Sequence, residues 1–298
     1  MKESILITGK NGLLANRFWE LLKSKYKIIF LSTDKKKCDK VSVFYWDISN
    51  EFIDENALID CDHIVHLAGY PIIRRWTKEN KKKMYESRIN STNLIYKYCE
   101  NLMIKPKTFI CASAIGIYGL DSEGKKEEKD IVDSDWISRM AIDWEKAADS
   151  FKKLNSRVVK MRISLIISKE SLFLKSYLLS MKFGIATLLG SKSRHISWIH
   201  IDDAVNFIDL AINNKKYSGA YNLATSKSLT QGKIVQIIKE EKYPFCITFQ
   251  IPACILSFIL GKRSKIFIPN LIAKADKLKK IDFKYKYDSF RKVIRSLK

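Results

Sequence analysis

The stretch Ser4 to Leu22 limits most sharply what this chain can become. Ile5, Leu6 and Ile7 form a short apolar run that stops at Gly9, and Leu14, Phe18, Leu21 and Leu22 then follow at helical spacing. The pattern predicts a strand, a tight turn and a helix, the opening of a βαβ unit. Gly9 allows a sharp turn, Gly12 lets backbone come close to a diphosphate, and Ala15 is small enough for close helix–strand packing. A diphosphate would lie at the helix N-terminus, where unpaired N–H groups and the helix dipole favour anions. An ordinary βα turn without a ligand is the competing reading.

Further strands are predicted at Lys27–Ser32, Val41–Trp46, from His63 into the small-residue turn Leu67-Ala68-Gly69, at Thr108–Ala112, Arg157–Ile167 and Tyr221–Leu223. Helices are expected over Lys81–Cys99, around Trp144, Ala148 and Phe151, at Leu172–Met181, and at Asp288–Leu297, with an acidic, lysine-rich loop at Asp121–Asp135 and a loop through Gly184 and Gly190. His63 and His66 read as residues at the edge of the core and receive no role. The turn after the second strand, Thr33-Asp34-Lys35-Lys36-Lys37, offers both signs of charge where an adenosine ribose would lie. Its three lysines favour a 2′-phosphate, although a plain solvated turn also explains them. Asp47 either faces the adenine or caps the turn that follows it. The loop Arg74-Arg75-Trp76-Thr77 suits an anion or a planar group, because a guanidinium offers a rigid donor fork and an indole a flat face; an exposed loop pinned by one aromatic is the alternative. His200 is either a proton switch or a structural histidine beside Asp202.

At 298 residues and 46% hydrophobic content, the chain can bury one core with an appended lobe. We expect residues 1–230 to form the nucleotide-binding domain, with an insertion near 168–195, and 231–298 to form a basic region that completes a smaller substrate lobe. The longest apolar stretch, Cys246 to Leu260, is interrupted by Thr248, Gln250 and Pro252 and reads as a buried helix, not a membrane span. No signal peptide or membrane anchor is visible. Six cysteines without a C-x-x-C pair look like small core residues of a reducing cytoplasm, and with four histidines lacking ligand spacing no metal site is expected. The formal charge is +22, and residues 231–298 hold 16 Lys and Arg against 5 Asp and Glu. No helix-turn-helix, finger or aromatic-interleaved basic stripe stands out, which argues against specific nucleic-acid binding and leaves most lysines as solvated surface. The basic terminal helix either packs on the lobe or meets a partner such as nucleic acid or an anionic membrane.

These residues together resemble the extended short-chain dehydrogenase/reductase superfamily, and within it the nucleoside-diphosphate-sugar epimerase-like subgroup with an added C-terminal region. The marks are Thr8-Gly9-x-x-Gly12-x-x-Ala15, Leu67-Ala68-Gly69, Arg74-Arg75-Trp76-Thr77, Ser87-Arg88-Ile89, Ser113-Ala114-x-Gly116-x-Tyr118-Gly119, Asp143-Trp144-Glu145, Arg157 to Arg162, Ser197-Trp198-Ile199-His200-Ile201-Asp202-Asp203, and a tail of the form Leu260-Gly261 … Asp282-Phe283-x-Tyr285. The resemblance implies an α/β fold, a Rossmann-type doubly wound parallel sheet, and a nicotinamide cofactor across its carboxyl edge, NADP(H) in preference to NAD(H). Its contacts would come from Gly9, Asn11, Gly12, Leu13, Leu14, Thr33, Lys35, Leu67, Ala68, Gly69, Arg88 and Arg162. Ser113 and Tyr118 would polarise the oxygen of a sugar-like or other small carbonyl/alcohol substrate held by Arg75, Trp76, Trp198 and His200, in a cytoplasmic monomer or homodimer.

One departure stands out. The superfamily uses a Tyr-x-x-x-Lys pair, whose ammonium depresses the phenol pKa for acid/base work. This chain contains no such pair, and the expected positions fall on Ser138 and Ile142. That loss motivates a second expectation, a cofactor-occupied sensor or scaffold without turnover, since some members of the subgroup have been linked to cell or plastid division.

Overall fold

The computed structural model describes residues 2–39 and 41–297. In chain order it begins with β1 (Ser4–Thr8), α1 (Leu13–Leu22), β2 (Lys27–Ser32), β3 (Val43–Asp47), β4 (Phe52–Ile53) and β5 (His63–His66). There follow α2 (Lys78–Glu86), α3 (Ile89–Asn101), β6 (Thr108–Ala114), β7 (Asp121–Lys126), α4 (Trp136–Asp149), β8 (Arg157–Ile163) and β9 (Leu165–Ile167). The chain continues through α5 (Leu172–Lys182), β10 (Ile185–Leu189), β11 (His195–Ile196), β12 (Trp198–His200), α6 (Ile201–Asn213), β13 (Gly219–Leu223), β14 (Leu229–Thr230) and α7 (Gln231–Lys242). It ends with β15 (Ile247–Ile251), α8 (Ala253–Leu260), α9 (Ser264–Phe267), β16 (Asn270–Ala273), α10 (Asp276–Lys280) and α11 (Phe290–Ser296).

The main sheet has the order β13-β8-β6-β5-β1-β2-β3-β4. β1 runs parallel to both β2 and β5, β2 to β3 and β5 to β6, while β4 closes the edge antiparallel to β3. From β1 the chain builds outward to β3, then returns to the other flank for β5 and β6, which is the doubly wound arrangement expected. The reversal lies between β1 and β5, and open α/β sheets bind ligands outside the carboxyl ends of strands at such a switch point. β1 is buried along its whole length, which suits its apolar run Ile5–Ile7, and β5 is equally buried although histidines stand at both of its ends.

Two compact units emerge. One comprises the chain up to Ala114, Trp136–Arg162 and Val205–Tyr221; the other comprises Ile115–Asp135, Ile163–Ala204 and the chain from Asn222 onward. The expected insertion at 168–195 is therefore wider, and the acidic, lysine-rich segment read as a loop also belongs to the second unit. Its strand β7 pairs in parallel with β16, with Asp121 opposite Asn270 and Lys126 opposite Ala273. A pairing between residues so distant in sequence leaves no local periodicity to read.

Four other expectations change. The helix over 81–99 breaks at Ser87-Arg88, because both side chains serve the preceding loop: Ser87 Oγ accepts the Tyr70 N–H (2.7 Å), and the Arg88 guanidinium donates to the carbonyls of Tyr70 (3.0 Å) and Met84 (2.9 Å). The strand over 157–167 divides at Ser164, whose N–H is drawn to Leu223 O (3.1 Å). The loop from Gly184 to Gly190 contains β10. Cys246–Leu260 is no buried helix: it is β15 followed by α8, nearly all exposed, and Cys254 is exposed with it. Pro252 forces the change of element, since it lacks the N–H a continuous helix would need.

The core of the second unit gathers Leu174, Tyr177, Trp198, Ile234 and Ile238 around α11, which buries Phe290, Val293 and Ile294. The basic terminal helix thus packs on the lobe, with Arg291 paired to Glu240 and Glu241 of α7 and Arg295 to Glu241.

Candidate cofactor site

Gly9 has φ +79°, a conformation side chains rarely adopt. A Cβ there would stand 3.0 Å from Leu67 O and 3.1 Å from the Ala68 backbone. The glycine turn after β1 and the small-residue turn after β5 are therefore pressed together, and only the absent side chain allows it. At Gly12 a Cβ would stand 3.0 Å from Gly9 O, the acceptor of the Gly12 N–H at 2.7 Å. No side chain caps α1, its first turn holds no acid, and its first backbone bond runs from Asn16 N–H to Gly12 O. The amides of Leu13, Leu14 and Ala15 thus lack an acceptor within the helix. These amides could cradle an anion, and a side chain at either glycine would press on the backbone that shapes the turn.

Sequence reasoning assigned nothing to His66, yet it fixes this cradle. The Thr8 hydroxyl accepts the N–H groups of Leu67 (3.1 Å) and Ala68 (3.0 Å), so its own proton goes to His66 Nδ1 at 2.8 Å. Nε2 then carries the ring proton and donates to Ser91 Oγ (3.0 Å), which in turn bonds Ser87 O (2.8 Å). His66 is fully buried, which pushes its pKa down to about 4 and keeps it neutral. The one available signal was a histidine closing a four-residue buried strand just before Leu67-Ala68-Gly69.

At the end of β2, Thr33 is exposed and Asp34 turns inward to cap the Lys36 N–H (3.1 Å), with Lys37 Nζ 3.7 Å away. Lys37 Nζ also reaches Asn11 Oδ1 (3.4 Å), while Lys35 lies over the Tyr45 ring (4.7 Å) and Lys10 over Phe30 (5.6 Å). The acid is occupied, and the cations border the glycine turn. Asp47 caps its own turn through the N–H groups of Ser49 (3.0 Å) and Asn50 (3.2 Å).

Arg88 lies directly beneath Gly69, where a Cβ would stand 3.0 Å from its guanidinium, and 5.2 Å from the Trp144 ring centre. Burial alone pulls its pKa down to about 10. No described salt bridge gives it a carboxylate. Arg162, by contrast, is held by Glu145 at 2.8 and 2.9 Å, and the same carboxylate accepts the Ser113 hydroxyl at 2.9 Å. Ser113, Glu145 and Arg162 form a buried network, with Lys160 Nζ 3.7 Å from the same carboxylate, in which the serine hydroxyl acts as donor, so what it can offer a ligand is a lone pair. Ser138 is buried and Ile142 half-buried.

The remaining candidates divide between the units. Arg75 is exposed in the first unit, its carbonyl held by Asn80 (2.8 Å), and Trp76 is anchored by Ile72 O (3.0 Å) and by an edge contact with Trp136 at 4.9 Å. In the second unit Tyr118 is buried, and its hydroxyl donates to Asn222 Oδ1 (2.9 Å). Trp198 is 1% exposed and packs edge-on against Phe290 at 5.4 Å. His200 lies beside Asp202: its Nδ1 accepts the Asp202 N–H (3.2 Å), and its ring lies 3.7 Å from that of Tyr287. A cavity of about 670 Å³ in the second unit is lined by Leu188, Lys192, Thr230, Lys233 and Lys239 among others, none of them an expected site residue.

A glycine cradle at the switch point of a doubly wound parallel sheet defines a dinucleotide-binding α/β protein. The sequence pattern of the NAD dependent epimerase/dehydratase family matches residues 5–224, and the chain belongs to that family. It is 28% identical to an epimerase family protein of Staphylococcus aureus (strain MRSA252) across 98% of each chain, and 29% identical over the same span to one of Staphylococcus epidermidis (strain ATCC 12228). Its fold matches that of the human epimerase family protein SDR39U1, solved with NADPH, with a TM-score of 0.84 at 20% identity over 99% of this chain and all of that one. It also matches a nucleoside-diphosphate sugar epimerase of Corynebacterium glutamicum, with a TM-score of 0.78 at 21% identity over 99% of this chain and 57% of that one.

Proposed function

We propose that the protein binds NADP(H) in preference to NAD(H) and acts, without the Tyr-x-x-x-Lys pair, on a sugar-like or other small carbonyl or alcohol substrate. The observation that carries the cofactor choice is the charge at the end of β2: Asp34 caps the Lys36 amide through one carboxylate oxygen and pairs with Lys37 through the other (3.7 Å), which leaves Lys10 and Lys35 to receive a 2′-phosphate. The NADPH of the human relative agrees with it. Backbone from Gly9 to Leu14 would hold the diphosphate, and Arg88, desolvated beneath Gly69, adds a cation without a carboxylate of its own. The nicotinamide supplies a hydride donor or acceptor when bound. Ser113, its proton committed to Glu145, orients a substrate hydroxyl by accepting from it. Arg75 and Trp76 offer the exposed fork and flat face for the rest of the substrate.

Titration calorimetry tests this reading. NADPH should bind more tightly than NADH, Lys35→Glu with Lys37→Glu should erase the difference, and Gly9→Asp should abolish binding of both. No heat with either dinucleotide, or tighter NADH binding, would refute it. A second reading, a cofactor-occupied sensor without turnover, rests on the serine and tyrosine hydroxyls both being engaged inside the protein. Substrate-dependent oxidation of bound NADPH that disappears in Ser113→Ala would eliminate it.

A further inference from the structure

The second unit bears large apolar side chains on its surface, several of them in the stretch Cys246–Leu260 that the sequence predicts to be a buried helix. Phe245 is 96% exposed, Phe258 92%, Ile247 77% and Phe183 75%. β15 is hydrogen-bonded to β10 alone, with Ala186 opposite Thr248 and Leu188 opposite Gln250. Ala186 and Leu188 are buried, so by strand alternation Ile185, Leu189, Ile247, Phe249 and Ile251 share the opposite, outward face. After Pro252, α8 buries only Leu256 and exposes Ile255, Phe258 and Ile259. An apolar surface of this kind, on an unprotected strand edge, marks an interaction site.

Its charge says what kind. The two segments that build it, 172–195 and 243–275, contain no Asp or Glu and eight Lys or Arg. Of these, Arg194 is spent on Asp121 and Lys274 on Glu127, whereas Lys175, Lys182, Lys262 and Lys265 point into solvent. The nearest acids on α7, Glu240 and Glu241, are taken by Arg291 and Arg295. A second copy pairing through this face would set an acid-free cationic rim against itself. Projecting aromatic and aliphatic side chains ringed by lysines instead match a lipid interface, which accepts apolar groups at the headgroup boundary and supplies diffuse negative charge.

We propose that the outer face of β10 and β15, together with α8, docks the protein on the surface of a bilayer containing anionic lipids. Ile247, Phe249, Phe258 and Ile259 enter the headgroup boundary, and Lys262 and Lys265 meet lipid phosphates. This docking is independent of the cofactor reading, because every residue invoked lies in the second unit.

The test is co-sedimentation of the full chain with phosphatidylcholine vesicles, with and without phosphatidylglycerol, alongside light scattering of the protein alone. The wild-type protein should partition onto the anionic vesicles and less onto the neutral ones, and added salt should weaken binding. Lys262→Glu with Lys265→Glu should lower the partition coefficient by at least about 25-fold, at roughly fivefold per cation lost, with the two added carboxylates lowering it further. Phe249→Ser with Phe258→Ser should reduce it at least as much while leaving the circular dichroism spectrum and NADPH binding unchanged. Equal binding to both vesicle types, no binding, or indifference to both double variants overturns the proposal. So does a dimer that Phe249→Ser with Phe258→Ser converts to monomer, which would put a second copy on this face.

Discussion

At Gly9 the backbone conformation and the neighbouring strand forbid a side chain for separate reasons, a φ of +79° and a carbonyl 3.0 Å from any Cβ. Gly9→Ala should therefore cost about 1–3 kcal/mol in urea unfolding and, by displacing the cradle, weaken NADPH binding more than tenfold. A variant of unchanged stability and affinity would show that the turn is not under this constraint. His66 makes the site sensitive to acid. Its pKa is about 4 in the fold against an unfolded value of 6.5, so below pH 6.5 the unfolded chain binds more protons. The stability this residue provides is complete above pH 6.5 and is lost as pH falls toward 4. Between pH 7.5 and 5 the loss should be about 2 kcal/mol, measured as the difference in pH slope between wild type and His66→Gln. Equal slopes would mean that His66 does not titrate this way.

Among the elements, α4, β6 and β8 are locked by Glu145, which accepts from Ser113 and Arg162 in a site where both charged side chains are over 90% buried. Glu145→Ala removes the carboxylate that pairs with the buried Arg162 and also faces Lys160 Nζ (3.7 Å), and should cost about 3–5 kcal/mol, whereas Glu145→Leu with Arg162→Leu should cost less. Equilibrium unfolding of the three proteins compares them directly, and a double variant as damaged as the single one would contradict the pairing. The same elements show what was legible in sequence. β1 and β2 announced themselves through the runs Ile5–Ile7 and Ile28–Leu31, because strands buried on both faces are continuously apolar. The break between α2 and α3 did not, because it depends on Ser87 and Arg88 bonding to Tyr70, a contact across a loop. Helical periodicity alone passes straight through it.

For the whole molecule the dominant quantity is the net charge of +22, which repels itself in the compact state. Ion pairs such as Arg295–Glu241 and Lys25–Asp209 do not reduce this excess, because 54 Lys and Arg face only 32 Asp and Glu. Raising sodium chloride from low to high concentration should lift the midpoint of thermal unfolding by several degrees through screening. A flat or falling midpoint would indicate that self-repulsion does not limit stability. The family resemblance supplied the doubly wound parallel sheet and the dinucleotide; the sequence by itself determined the glycine turn, the strand-turn-helix opening around it and the absence of a Tyr-x-x-x-Lys pair. Each of these is written in neighbouring residues, through spacing and local backbone freedom. Only the tertiary structure decided that β7 joins the second unit, that His66 braces the cradle, that Trp198 lies in a core, and that Cys246–Leu260 faces outward. Those outcomes depend on which distant residues become partners, and burial is a property of the folded neighbourhood that hydrophobicity along the chain does not encode.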